Sequence, residues 1–323
     1  MRIPLLAIVL ACFATTVFGQ KQQVKVWIDT DILTGKFRKD VDDGLALIMA
    51  FQDSSLRIEG ISFVQNVDYS EKVVQKLLKW YQPNAAIQTY KGANGKADFG
   101  LESDAFKALA KALDKGPLHI LALGPLTNIA TLISNRPDLQ RNILSITYCA
   151  GRRPGMLLNP GSGKVKFSDY NFDLDPRSTE IVLNSDIPLT LAGYDCSDSL
   201  FIAKEDFEHL KKSVNEGDKW LYKQLKEWEN LWRVFMGSKK GFIPFDCATF
   251  GAFHYAQEFE IIESIPAYIE VAENDTKNQV KASTKPYLLI SENHDGREVS
   301  YCEFTSQEFK KRLLGAIHHP DYR

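Results

Sequence analysis

The residues most able to do chemistry come early and close together. Asp29-Thr30-Asp31 is followed by Asp40-Val41-Asp42-Asp43, five carboxylates within fifteen residues. Like charges gathered this way make one another costly to ionise unless a cation or hydrogen-bond donors compensate. A set made only of oxygen donors suits a hard cation such as Ca²⁺ or Mg²⁺ better than zinc. The plainer reading is local: Asp42 caps a helix start, and the other acids are solvated on a loop. The spacing is not that of an EF-hand, because Leu33 stands where an acid or Asn is needed and Phe37 is not an acid. An aspartyl-nucleophile phosphatase would also begin with a strand and then Asp29-x-Asp31. It would need a later Gly-Asp-x-x-x-Asp segment, and the candidate, Gly217-Asp218, has Tyr222 in the last position.

The elements around these acids follow from hydrophobic periodicity. Val24–Ile28 reads as a strand, and Asp43–Phe51 as a helix with Leu45, Leu47, Ile48 and Phe51 apolar. Leu56–Val64 is a strand followed by a helix over Ser70–Tyr81. His119–Leu123 is a strand before a helix over Leu126–Ile133. Ile143–Cys149 and Ile187–Leu191 are strands, with a helix between them from about Pro176. This alternation predicts an α/β fold, a mostly parallel central sheet flanked by helices. Ligands of such sheets sit beyond the carboxyl ends of the strands, which is where the first acids fall. The second half departs from the pattern. Lys204–Val234 reads as an inserted helical region containing Trp220, Tyr222, Trp228 and Trp232. Ile261–Val271 and Thr284–Ile290 read as strands, and Ser306–Ile317 as a closing helix.

Composition narrows the class. Lys and Arg number 39 against 41 Asp and Glu, so no strongly basic surface points to nucleic acid. Hydrophobic residues make 44% and charged residues 25%, which excludes a disordered or multi-pass membrane chain. Residues 1–19 read as a secretory signal: Arg2, an apolar run from Ile3 to Phe18, and a cleavage position after Gly19. A membrane anchor is the alternative, but the run is short and broken by Pro4, Thr15 and Thr16. A lipoprotein site at Cys12 would place Leu10 where a smaller residue is usual. Residues 20–323 then form one domain, secreted or periplasmic, with no stable membrane insertion after cleavage and with homo-oligomer formation left open. Cys149, Cys196, Cys247 and Cys302 are far apart and form no CxxC pair, so they read as small buried hydrophobes, with one disulfide allowed in an oxidising compartment.

Taken in order, these segments resemble the inosine–uridine-preferring nucleoside hydrolase superfamily. Asp29-x-Asp31 and Asp42-Asp43 match its opening, a strand, Asp-x-Asp, a loop and Asp-Asp before a helix. The resemblance runs through Ile58-Glu59-Gly60-Ile61 to Asn66, Leu123-Gly124-Pro125-Leu126-Thr127-Asn128, Tyr148-Cys149-Ala150-Gly151, Asp169-Tyr170-Asn171-Phe172-Asp173-Leu174-Asp175-Pro176 and Phe245-Asp246-Cys247-Ala248. It implies that Asp31, Asp43, the main-chain carbonyl of Thr127 and Asp246 hold one Ca²⁺, with Asp29 supporting them from behind. It implies that Asp42 and Asn66 bind the 2′-hydroxyl side of a ribose, and that Asp169, Asn171 and Asn159 bind the 3′ and 5′ side. Asp31 is then the general base for a water held by the ion, and the substrate is a small-molecule nucleoside. N-glycoside cleavage builds oxocarbenium character on the sugar, which surrounding carboxylates favour.

Three departures matter. Ten residues separate Asp31 from Asp42 where the family keeps a tight loop, and the extra stretch carries Lys36, Phe37, Arg38 and Lys39. Phe245 stands where many members have a His that protonates the leaving base. Stacking of the base on Trp228 and Trp232, with Tyr222 nearby, is one substitute; at helical spacing these tryptophans also read as core. His254 is a second candidate acid, with a structural role as its plain alternative. Asp169 in place of Glu shortens a sugar contact. Because of these departures, a non-catalytic nucleoside- or sugar-binding protein on the same fold stands as the alternative to a hydrolase, with the phosphatase behind both.

Overall fold

The computed structural model describes residues 23–157, 168–275 and 282–317. The expected leader and Asn159 lie outside them. Its strands in chain order are β1 (Val24–Thr30), β2 (Leu56–Phe63), β3 (Thr89–Lys91), β4 (Leu118–Ala122), β5 (Ile143–Tyr148), β6 (Leu189–Leu191), β7 (Phe259–Glu273), β8 (Thr284–Ile290) and β9 (Arg297–Thr305). They form one sheet in the order β3-β2-β1-β4-β5-β6-β9-β7-β8. Pairing is parallel from β3 through β9, and β7 runs antiparallel to both β9 and β8. The mostly parallel sheet expected from the sequence is therefore present.

Helices cover both faces. They are α1 (Asp42–Gln52), α2 (Val67–Tyr81), α3 (Asp104–Asp114), α4 (Thr127–Asn135), α5 (Tyr170–Leu174), α6 (Pro176–Leu183), α7 (Tyr194–Ser197), α8 (Lys204–Phe207), α9 (Glu216–Phe235), α10 (Phe245–His254) and α11 (Gln307–Ala316). One apolar core gathers α1, α2, α9, α10 and α11. The other gathers α3, α4 and α6 on the opposite face. The periodicity explains the placement. α2 buries Val73, Val74, Leu77, Leu78 and Tyr81, a stripe three and four residues apart. α1 is buried from Asp42 to Phe51 and is apolar nearly all round, as a helix enclosed by other elements must be. β1 is buried from Val26 to Thr30, which fits a central strand covered on both faces.

A close approach in the sheet serves the acids. The register between β1 and β2 shifts between Val26 and Trp27, so Trp27 pairs with Gly60. A Cβ on Gly60 would collide with the Trp27 ring. With glycine there, the indole lies flat and its Nε1–H donates to Ser62 Oγ at 2.7 Å. Ser62 in turn donates to Asp29 Oδ1.

Several elements were not expected from the sequence, among them the short β3, α5 and α7 and the longer α3 and β9. α3 is amphipathic, burying Ala105, Phe106, Leu109, Ala110 and Leu113, with Ser103 accepting at its N-cap from Phe106 N at 3.2 Å. β9 is interrupted by Arg297, Glu298 and Glu303 yet sits inside the sheet between β6 and β7. The reading of four small buried cysteines is corrected for two of them. Cys196 of α7 and Cys302 of β9 form a disulfide, while Cys149 and Cys247 are free and buried.

Candidate active site

The parallel strands end on a common edge, and the chain just beyond several of those ends lines one cavity of about 330 Å³. Asp31 follows β1, Leu123 follows β4, Cys149 follows β5, and Gly193 and Tyr194 follow β6. That size lies at the low end of small-molecule sites, roughly 300–1,000 Å³.

The floor is acidic. Asp42 and Asp43 occupy the first turn of α1 and are both buried. A helix start favours negative charge there. Asp246 opens α10, and its main-chain N–H points to Asp42 Oδ2 at 3.4 Å. Thr30 donates its hydroxyl to Asp43 Oδ1. Carboxylate oxygens of Asp40, Asp42 and Asp43 lie within 4.8 Å of one another. Burial, then the charges of Asp40, Asp42 and Asp29, holds the Asp31 carboxyl well above the usual carboxylate range. Burial and neighbouring acids do the same to Asp42, Asp43 and Asp246. Among the described residues none of these carboxylates has a salt-bridge partner. An all-oxygen cluster that resists its own ionisation and, among the described residues, has no ion-paired cation fits a bound divalent cation.

Asp29 sits behind this floor, fully buried. Its Oδ1 accepts from Ser62 and from Asn128 Nδ2 at 2.9 Å, while its Oδ2 has no partner among the described residues. Burial raises it to about 7. Thr127 is buried at the first turn of α4, and its hydroxyl donates to Asp175 Oδ2 at 2.6 Å. Its main-chain carbonyl is therefore what it can offer a cation. Asp175 also accepts from Ser178 N at 3.1 Å, capping α6.

The segment entering α5 forms the next wall. Asp169 accepts from Gly151 N at 2.8 Å, and burial raises it to about 6. Asn171 donates from Nδ2 to the carbonyls of Leu123 at 2.7 Å and Cys149 at 3.0 Å, tying α5 to the ends of β4 and β5. Its Oδ1 is the atom it can turn to a ligand. From behind, Lys285 Nζ reaches both Asp173 carboxylate oxygens, at 2.7 and 2.5 Å, an ion pair almost wholly buried.

Another part of the wall is aromatic. Trp228 and Trp232 of α9 line the cavity, as do Met236 and Phe245, the latter against Tyr194 with ring centroids 6.2 Å apart. Arg38, Lys39, Asp40 and Tyr170 complete the mouth. Tyr222 is not part of this wall; it is buried on α9 against Phe207, ring centroids 6.1 Å apart. Asn66 is exposed in the left-handed conformation at φ 43°, accepts from Lys36 Nζ at 3.2 Å, and does not line the cavity. His254 lies at the opposite ends of the strands, held by Asp53 at 3.1 Å and Ser55 at 2.9 Å, so its role is structural. Asp218, the phosphatase candidate, is taken up by Tyr81 at 3.1 Å and Ser213 at 2.8 Å, away from the acids. Tyr170 lies inside a matched segment and Tyr194 and Met236 in none, and none of the three was marked as a wall residue by the sequence; only their position next to marked residues or strand ends could have pointed to them.

Residues 26–308 match the family model described as inosine-uridine preferring nucleoside hydrolase. The chain belongs to this family. Among curated relatives, a pyrimidine-specific ribonucleoside hydrolase RihA of Citrobacter koseri is 33% identical over 114 residues, 34% of each chain. The Salmonella enteritidis RihA is 26% identical over 203 residues, 54% of this chain and 63% of the relative. The matches thus span between a third and just under two thirds of those relatives. Solved structures share the fold at lower identity. A purine-preferring ribonucleoside hydrolase from Gardnerella vaginalis has a TM-score of 0.71 at 17% identity, covering 91% of this chain and 98% of that one. A plant nucleoside hydrolase has 0.69 at 18%, covering 90% and 99%. No helix among the described residues is long and apolar enough to cross a membrane.

Proposed function

We propose that this member of the nucleoside hydrolase family cleaves the N-glycosidic bond of ribonucleosides by water, using Ca²⁺, and that it works outside the cytoplasm. The observation that carries the reading is the meeting of Asp31, Asp42, Asp43 and Asp246 in one cavity that Trp228 and Trp232 also line. Asp31, Asp43, Asp246 and the Thr127 carbonyl would hold the cation. When bound, the ion would orient a water, lower its pKa and offset the repulsion among the acids. Asp31 takes the proton from the attacking water. Asp42 accepts from the ribose 2′-hydroxyl, and Asp169 and Asn171 hold the other side of the sugar. Fixing the ring against the water is a positioning gain. The surrounding carboxylates favour the positive charge that develops on the ring. The tryptophans supply flat apolar surface for the base.

Export is supported by the leader-like residues 1–19 and by the Cys196–Cys302 disulfide, since such bonds persist in oxidising compartments. N-terminal sequencing of protein recovered from the medium or periplasm, beginning at Gln20, is the expected result.

A base-release assay on inosine, adenosine, guanosine, uridine and cytidine, with and without chelator, tests the activity. Release that depends on Ca²⁺ is expected; no release from any of them with Ca²⁺ present overturns the reading. The binding-only alternative is favoured by Phe245, which has no proton to give. Calorimetry separates the two, because stable heat without product is binding alone.

A further inference from the structure

The acid floor serves the sugar and leaves the departing base unassisted. Breaking the bond pushes an electron pair onto a ring nitrogen of the base, and that negative charge needs a donor. Phe245 offers none, and no histidine is among the described residues that line the cavity. The side-chain donors at the wall include Lys39, Tyr170, Tyr194, Cys149 and Arg38. Four of them stand under the influence of nearby acids. Lys39 lies by Asp40. Tyr170 feels the charges of Asp31 and Asp40. Tyr194 sits by Asp169, with the Arg152 guanidinium 5.7 Å from its ring. The Cys149 thiol lies between Thr249 and Asp246.

Arg38 is different. Its φ of 59° is uncommon for a residue other than glycine or asparagine, and it turns the chain back toward α9. Its main-chain N–H points to Glu227 Oε1 at 3.4 Å. Its guanidinium lies 5.0 Å from the Phe37 ring and 5.7 Å from the Phe235 ring. Glu227 and Phe235 belong to the helix that carries Trp228 and Trp232, so Arg38 sits on the aromatic side of the cavity. Among the described residues no carboxylate forms a salt bridge with it.

We propose that Arg38 receives the departing base, hydrogen-bonding its acceptor edge and holding the negative charge that forms as the bond breaks. This rests on the hydrolase reading above. The C1′–N bond breaks and its electron pair goes to the base nitrogen. A water oxygen bonds to C1′, Asp31 takes the water proton, and the base anion on Arg38 is protonated by solvent as it leaves. The guanidinium acts as a donor and gives up no proton. A donor-only fork also selects among bases. It matches two adjacent acceptors, as on a 6-oxopurine, and meets a competing amino donor on adenine.

The test compares wild type, R38K and R38M on inosine, adenosine and p-nitrophenyl riboside in Ca²⁺ buffer. The nitrophenolate leaves without help, so only the nucleosides depend on a leaving-group donor. R38M is expected to lose roughly 100-fold in kcat on inosine, at least tenfold more than it loses on the nitrophenyl riboside. The inosine-over-adenosine preference should narrow by roughly 10-fold, and R38K should fall between. Equal losses on inosine and the nitrophenyl riboside, or no loss on inosine, overturn the proposal while the hydrolase reading stands. A wild-type protein inert on all three removes both.

Discussion

A general base gains from sitting among other acids only while it stays ionised. Asp31 is held well above the usual carboxylate range by burial and by Asp40, Asp42 and Asp29. A counter-charge in the cluster is what would return it to the ionised form at neutral pH. Asp31→Asn keeps the shape and removes the basicity. It should lower kcat by about 10²–10⁴-fold, with an unchanged circular dichroism spectrum and melting temperature within a few degrees. Near-normal turnover in that variant would remove Asp31 from the chemistry. At this scale the sequence was informative where chemistry demands a residue type. Asp31, Asp42, Asp43, Asp169, Asn171, Asp246, Trp228 and Trp232 all reach one cavity. It was uninformative where only shape counts. Asn66 matches the motif in order, yet a left-handed backbone turns it outward to Lys36, and nothing in its spacing reveals that.

Helices and strands decide where those side chains stand. α5 has only five residues, too short to hold its own geometry. It is pinned at one end by Asn171 on two strand-end carbonyls and at the other by Lys285 of β8 on Asp173. Removing one member of a buried pair leaves an unpaired charge, at a cost of about 3–5 kcal/mol. Lys285→Met should therefore destabilise by roughly that amount in denaturant unfolding, and its residual activity should show KM raised more than kcat is lowered. Equal stability would show that the pair does not anchor α5. A second prediction concerns the far end of α1. Burial alone would raise Asp53, but hydrogen bonds from His254, Ser55 and Tyr255 outweigh it and hold the carboxyl well below its usual range. A lowered acid contributes stability above its unfolded value of 3.8, and that contribution fades as pH falls below it. Asp53→Asn should cost on the order of 1 kcal/mol at pH 6, a figure reduced for partial exposure, and nearly nothing at the lowest pH where the fold survives. A difference that does not shrink on acidification would assign the loss to something other than the ionised carboxylate. The same scale shows what pattern reading misses. β9 carries Arg297, Glu298 and Glu303 among its apolar residues, so it lacks the continuous run that marked β1 and β2. Its place is set by partners on both sides, β6 and β7, that are distant in sequence.

Across the whole molecule, β9 joins the parallel part of the sheet to the antiparallel hairpin. The alternation of the first half made the parallel part readable, but the join depends on contacts that no local pattern encodes. The disulfide lies at that join. Cys196 is in α7, two residues from Tyr194 at the cavity wall, and Cys302 lies in β9, 106 residues away, with Cα atoms 5.0 Å apart. A cross-link closing a loop of that length removes much of the freedom of the unfolded chain, about 4–5 kcal/mol in the chain-entropy model. Both sulfurs are buried, so a reductant should act on the unfolded chain rather than on the native state. Unfolding in guanidinium should then shift to lower midpoint with dithiothreitol present, and Cys302→Ser should reproduce the shift without reductant. The variant should keep most of its turnover at 25 °C, because Asp31 stands just after β1 and Asp42, Asp43 and Asp246 on α1 and α10, none of them on β9. Thiol titration of the denatured, unreduced protein should find Cys149 and Cys247 alone among the described cysteines. Four reactive thiols together with midpoints that ignore dithiothreitol would remove the cross-link, and with it the structural support for an oxidising compartment.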